Sequence, residues 1–270
     1  MTASAPLLRN APVHRIDVGH GEPVLLLHGN PDSSAMWQPV IDRLAPTLRC
    51  VAPDLPGFGA TPVPPGFDYS LEHMAAFVDH AVTQAGIDQP LTLVMHDFGG
   101  PYGMAWAVRH PHKVRRIVVN NTLFFSDYRW HFWGRVWRTP WLGELSMRLM
   151  NRWILALETR RGSPHISDAH LDAAYALMTP SMRRMVLALY RKSDPANFRG
   201  WEDQLLALTQ RVPTLVLWGE RDPYLPRQFA DRFGARQIVA VPDAGHWLAV
   251  EQPQTVADAI RRFIDATPNG

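Results

Sequence analysis

Three residues of this 270-residue chain combine reactive side chains with settings that can expose them: Asp97, Asp222 and His246. Asp97 ends an apolar run from Leu91 through Met95 and His96, and Phe98-Gly99-Gly100 follows it. Apolar residues then return at helical spacing, at Tyr102, Met104, Ala105, Trp106 and Val108. A strand that turns into a helix through glycines is the setting of a nucleophile elbow, with the turn residue exposed at the carboxyl end of the strand. Asp222 follows a second apolar run, in Gly219-Glu220-Arg221-Asp222-Pro223, and His246 a third, in Asp243-Ala244-Gly245-His246-Trp247. A carboxylate that attacks an ester or amide gives an anhydride, a poor intermediate. At a saturated carbon bearing a leaving group it gives an ordinary alkyl ester. His246 can then activate water against that ester, with Asp222 orienting the imidazole and stabilising its cation. Asp54 and Glu220 are the alternative acids, in poorer loop positions.

Those side chains need a scaffold, and the chain alternates strands with helices. Val13 to Asp17 reads as an edge strand and Pro23 to Leu27 as a buried one. His28-Gly29-Asn30-Pro31 follows, then Asp32-Ser33-Ser34 and a helical pattern from Ala35 to Leu44, with Ser33 or Ser34 as its N-cap. A loop in this position commonly supplies one backbone N–H of an oxyanion hole, and the residue after the nucleophile supplies the other. The two donors are the amides of Asn30 and Phe98. Whether the Asn30–Pro31 bond is cis or trans is open at this stage. Further strands are read at Leu48–Pro53, Leu91–Met95, Arg116–Asn120, Pro213–Trp218 and Gln237–Val241. Helices are read from Tyr69 to Gly86, after the elbow, near Arg227–Phe233 and from Val256 to Ile264. This alternation predicts an α/β chain with a mostly parallel, doubly wound sheet.

Between Thr122 and about Leu208 no buried strand is evident, and the composition shifts to Trp, Arg, Met and Leu. We expect a helical insertion over the carboxyl ends of the strands, its tryptophans walling an apolar pocket. The expected division is 1–121 for the first part of the core, 122–208 for the helical cap and 209–270 for the second part of the core. A net charge of +2 is too small to point to nucleic acid, and the Arg pairs, Arg115-Arg116 among them, read as solvated helix faces. Cys50 is the only cysteine and sits in an apolar run, so a buried inert thiol is expected. There is no leader-like N-terminus and no run long enough to span a bilayer, so the expectation is a cytoplasmic protein with no membrane partner. His110-Pro111-His112 is too close-set for a metal site, and neither metal nor cofactor is expected. The expected partners are a small apolar substrate and water, the expected state a monomer or homodimer.

The sequence resembles the α/β-hydrolase superfamily, and within it the haloalkane dehalogenases and epoxide hydrolases. The resemblance rests on five pieces in order over about 220 residues: His28-Gly29-Asn30-Pro31 with Ser33, Ser34 and Trp37; Ala52-Pro53-Asp54-Leu55-Pro56-Gly57-Phe58-Gly59; His96-Asp97-Phe98-Gly99-Gly100; Gly219-Glu220-Arg221-Asp222; and Gly245-His246. It implies an α/β-hydrolase fold with an inserted helical cap and the order nucleophile Asp97, acid Asp222, base His246. Dehalogenases of the group hold the departing halide with the Asn of this loop and a Trp after the nucleophile. Asn30 fits that pattern, but Phe98 has no N–H to give. Epoxide hydrolases instead protonate the opening oxygen with cap tyrosines. Tyr190, in Ala188-Leu189-Tyr190-Arg191, is similar to one of them, with Tyr128 or Tyr175 as the other. The resemblance therefore implies an epoxide hydrolase, with haloalkane dehalogenase as the alternative. A ligand-binding fold without catalysis ranks below both, because the triad is present in full.

Overall fold

In the computed structural model, which describes Leu8 and residues 11–267, the strands are β1 (Arg15–Val18), β2 (Glu22–Leu27), β3 (Leu48–Pro53), β4 (Leu91–Asp97), β5 (Val114–Thr122), β6 (Thr214–Gly219) and β7 (Gln237–Val241). They form one sheet in the order β1-β3-β2-β4-β5-β6-β7. Only β1 runs antiparallel, pairing Arg15 with Pro53; every other neighbour is parallel. β4 lies at the centre, Leu27 opposite Met95 on one side and His96 opposite Asn120 on the other.

The inner strands are near-continuous apolar runs because helices cover both faces of the sheet. Successive side chains alternate between the faces. Leu25, Leu27, Leu93, Met95, Ile117 and Val119 pack with α2 (Leu71–Gln84) and α3 (Gly99–Arg109). Val24, Leu26, Val94, Val118 and Leu217 pack with α1 (Gln38–Leu44) and the C-terminal helix Pro253–Ala266. Ser33, rather than Ser34, caps the 3₁₀ turn Ser34–Trp37 that leads into α1, its Oγ accepting from the Ala35 amide at 3.4 Å. Ser70 caps α2 in the same way.

Between β5 and β6 lie α4 (Phe132–Arg138), α5 (Leu142–Leu149), α6 (Arg152–Gly162), α7 (Asp168–Leu177), α8 (Pro180–Lys192) and α9 (Trp201–Thr209). α9 packs on α3, with the Arg109 guanidinium 4.3 Å from the centre of the Trp201 ring, so it joins the layer beside the sheet. After β7 come α10 (Leu248–Glu251) and α11 (Pro253–Ala266).

Three expectations change. The segment Arg227–Arg232 is a 3₁₀ helix and not an α-helix. Arg116 is not on a solvated helix face: it is buried in β5, where its guanidinium donates to Glu22 and to Thr267, partners that replace the lost water. The tryptophans divide, since Trp141 and Trp153 face outward while Trp37, Trp106 and Trp218 are fully buried. Cys50 is buried, and burial pushes its thiol up to about 12, which leaves it inert.

Candidate active site

The site grows from the carboxyl end of β4. Asp97 takes φ of +48°, a left-handed conformation that costs a non-glycine residue about 1–2 kcal/mol and that turns the strand sharply into α3. Neighbours hold it there: the Thr122 hydroxyl donates to the Asp97 carbonyl, and a Cβ on Gly29 would strike the Asp97 side chain. The Asn30 amide donates to Asp97 Oδ1 at 2.7 Å, from a loop in which the Asn30–Pro31 bond is cis. Phe98 precedes α3 in the helical region, and its amide makes no hydrogen bond to Asp97 among the described residues. Burial would raise the Asp97 carboxyl, but the His246 imidazole, with smaller contributions from His96 and the Asn30 amide, outweighs it and holds the group below its ordinary value.

His246 and Asp222 come from the loops after β7 and β6. Nδ1 of His246 donates to Asp222 Oδ2 at 2.7 Å, which leaves Nε2 facing Asp97 Oδ2 at 3.6 Å. The Asp222 side chain is fully buried, and each oxygen is accounted for: Oδ1 accepts the amides of Tyr224 and Leu225 at 2.8 and 3.1 Å, and Oδ2 also accepts Asn121 Nδ2 at 2.9 Å. Burial pulls the imidazole down, yet the carboxylates of Asp222 and Asp97 outweigh it and raise His246 to about 10. The histidine loop is also tied to the inserted helices, because the His246 amide donates to the Gly162 carbonyl at 2.8 Å and the Trp247 amide to Ser163 Oγ at 2.8 Å.

The alternative acids are elsewhere. Asp54 accepts the amides of Ser34 and Ala60 and pairs with His14, while Glu220 is exposed, 3.9 Å from Arg227. His96 stands behind the site, lowered to about 4 by burial, and its neutral ring donates through Nε2 to the His246 carbonyl at 2.9 Å. His28 bonds the Gly29 carbonyl and accepts the Leu55 amide. Among the described residues no group of three or more His, Cys, Asp or Glu is placed to hold a metal ion.

A cavity with about 960 Å³ of empty space, its open mouth included, lies over Asp97 and His246. α4, α5, α6 and α8 roof it with Trp133, Trp137, Met147, Leu155, Val186 and Tyr190. Tyr190 is boxed by aromatic rings: Phe98 at 5.0 Å, Trp130 at 4.9 Å and Trp137 at 4.8 Å between centroids. Burial, followed by the Asp97 charge, raises the Tyr190 hydroxyl well above its ordinary value, so it keeps its proton, and it lies close to the Asn30 side-chain amide. Asn30 Oδ1 is buried without a partner among the described residues.

Tyr128 does not match its expected part. It lines the cavity, but its hydroxyl donates to the Tyr224 carbonyl at 3.1 Å, which commits the proton to the protein. Tyr175 sits on α7 and is absent from the lining. The structure instead brings in His131, which the sequence reading passed over. Its Nδ1 accepts the Gly134 amide at 3.3 Å, so the proton of the neutral ring is on Nε2. Burial lowers this imidazole to about 4, and its ring lies 6.1 Å from that of Tyr190. Tyr224, which stacks edge-on against His246 at 5.2 Å, and Asn121 were missed too. The signal for Asn121 was the pair Asn120-Asn121 ending an apolar strand; His131 stood in an aromatic run with nothing to single it out.

Comparison with known proteins agrees with this architecture. Residues 22–210 match the family model of the alpha/beta hydrolase fold. The chain is 28% identical to a cis-3-alkyl-4-alkyloxetan-2-one decarboxylase of Xanthomonas campestris, over 92% of this chain and 90% of that one. It is 31% identical to haloalkane dehalogenase 2 of Mycobacterium tuberculosis, again over 92% and 90%. Among solved structures, the epoxide hydrolase CorEH superposes with a TM-score of 0.80 at 22% identity, covering 97% of this chain and 98% of that one.

Proposed function

Because the chain belongs to the alpha/beta hydrolase fold family, we propose that it is an epoxide hydrolase that opens its substrate through an alkyl ester on Asp97. The observation that carries this reading is Tyr190, a buried phenol that keeps its proton and lines the same cavity as Asp97 and Asn30. In the resting site Asp97 is ionised and His246 is cationic. Asp97 Oδ2 attacks a ring carbon, a C–O bond of the epoxide breaks, and Oδ1 becomes the ester carbonyl oxygen facing the Asn30 amide. The opening oxygen takes a proton from Tyr190, with the Nε2–H of His131 as a second hydrogen-bond donor. Ester formation removes the Asp97 charge, so His246 loses one of the two carboxylates that kept it protonated. It gives up that proton, which restores Tyr190, and becomes the neutral base that the next step needs. Water attacks the ester carbon while His246 accepts its proton. Collapse then releases the diol and returns Asp97 and His246 to their starting charges. Epoxide plus water gives diol, with no net proton.

Haloalkane dehalogenase is the second reading, and two observations favour it. Asn30 lines the cavity with Asp97, and the indole N–H groups of Trp130 and Trp137, both on the cavity wall, are buried without a partner among the described residues. The two reactions differ in proton balance, since a halide needs no proton donor and each turnover releases one proton to solvent. The deciding experiment incubates the protein with terminal epoxides, 1-bromoalkanes and an oxetan-2-one side by side, scoring diol, bromide and alkene. Diol as the dominant product supports the proposal. Bromide without diol overturns it in favour of the dehalogenase, and alkene in favour of the decarboxylase.

A further inference from the structure

The cap helices are apolar on both sides. Nine large hydrophobic side chains are exposed among the described residues, and seven of them fall between Phe132 and Leu157. On α5, Leu142, Leu145 and Leu149 lie within roughly 60° of arc at 100° per residue, and Trp141 precedes them at 86% exposure. On α6, Trp153 and Leu157 are one turn apart and exposed at 70% and 59%. The opposite sides of the same helices supply Met147 and Leu155 to the cavity over Asp97. A helix that turns apolar groups both inward and outward has a second neighbour to meet.

Charge identifies that neighbour. The segment Phe132–Lys192 carries ten Lys and Arg against four Asp and Glu, a formal +6 in a chain of +2, which leaves −4 for the rest. Two of the four acids, Asp168 and Asp172, are held by Arg152, and Glu144 is held by Arg191. Arg135 and Arg148, one turn or less from Phe132 and Leu149, are exposed and carry no ion pair among the described residues. Two copies meeting through this face would set cation against cation. A surface that offers acyl chains beneath anionic headgroups satisfies both features, with Trp at the boundary, Leu below it and Arg at the phosphates.

We propose that the outer face of α4 to α6 docks on an anionic lipid surface. The sequence reading expects no membrane partner because no segment is long enough to span a bilayer, and among the described residues no helix is long and apolar enough to cross. A helix that lies in the interface needs no span. Docking places the roof of the cavity against the phase in which apolar substrates concentrate.

The test is sedimentation of the full chain with vesicles of phosphatidylcholine alone and of phosphatidylcholine with about one third phosphatidylglycerol, at low and at about 1 M salt. Binding to the anionic vesicles at low salt should exceed that to the neutral ones by about tenfold or more, and should fall at high salt. The double variant Leu145→Glu, Trp153→Glu should lose this binding while its thermal melting stays within a few degrees. Arg135→Gln with Arg148→Gln keeps the apolar face intact and should weaken binding to the anionic vesicles by about tenfold. Protein left in the supernatant with anionic vesicles at low salt overturns the proposal. If that protein is also a dimer that Leu145→Glu separates, a second copy covers the face instead.

Discussion

Nε2 of His246 stands 3.6 Å from Oδ2 of Asp97, too long for a hydrogen bond and short enough for an ion pair, while its Nδ1 is fixed to Asp222 at 2.7 Å. The imidazole therefore sits between two carboxylates, and only one of them is consumed by the proposed chemistry. In the proposed chemistry, alkylation of Asp97 would remove one of the two charges that raise His246 and so turn it from a cation into a base.

That position makes stability depend on pH in a defined direction. The fold raises His246 from an ordinary value of 6.5 to about 10. A group raised on folding contributes fully below its unfolded value and loses the contribution as pH climbs through the folded one. The gap in urea midpoint between the wild type and His246→Gln should be widest at or below pH 6.5 and should shrink towards pH 10. A gap that widens with rising pH contradicts the charge assignment.

Tyr190 and Tyr128 line one cavity, but among the described residues only the second has its hydroxyl committed to a backbone carbonyl. Tyr190→Phe should slow epoxide opening by about 10²–10⁴-fold in single-turnover measurements, and Tyr128→Phe should leave the step nearly unchanged. His131→Phe should deepen the loss in a Tyr190→Phe background less than it does alone if the two act on one oxygen. Equal rates for Tyr190→Phe and wild type remove the phenol from the mechanism.

Asn121 supports the acid. It takes φ of +36°, accepts the Gly219 amide at 2.9 Å and donates to Asp222. Asn121→Ala should destabilise the protein by about 1–3 kcal/mol through the buried groups it leaves unpaired. Asn121→Gly relieves the backbone but not the lost bonds, so it should recover a part of the melting temperature and little of the activity. Full recovery of activity in the glycine variant would reduce Asn121 to a turn former.

Much of this was legible in the sequence, for physical reasons that differ from element to element. β4 and the elbow were visible because a strand covered on both faces must be continuously apolar and a tight strand-to-helix turn needs Gly99 and Gly100. Asp222 and His246 were found because they end apolar runs. Arg116 was misplaced because a buried guanidinium depends on Glu22 and on Thr267, 151 residues away, partners that no local pattern shows. Where the protons of Tyr128 and His131 go, to the Tyr224 carbonyl and to Nε2 of the ring, is a property of the folded backbone. The outward apolar face of the cap escaped because residue type shows that a helix is apolar, not which side of it is covered.

The covalent ester on Asp97 is the central claim, and a single turnover in ¹⁸O-labelled water tests it most directly, with enzyme in excess over a terminal epoxide. The first diol should carry unlabelled oxygen taken from Asp97, and the label should appear in the Asp97 carboxylate by peptide mass. His246→Gln should stop at the ester and gain the mass of the epoxide. Label in the first diol, with no label on Asp97 and no adduct in the variant, would mean that water attacks the substrate directly.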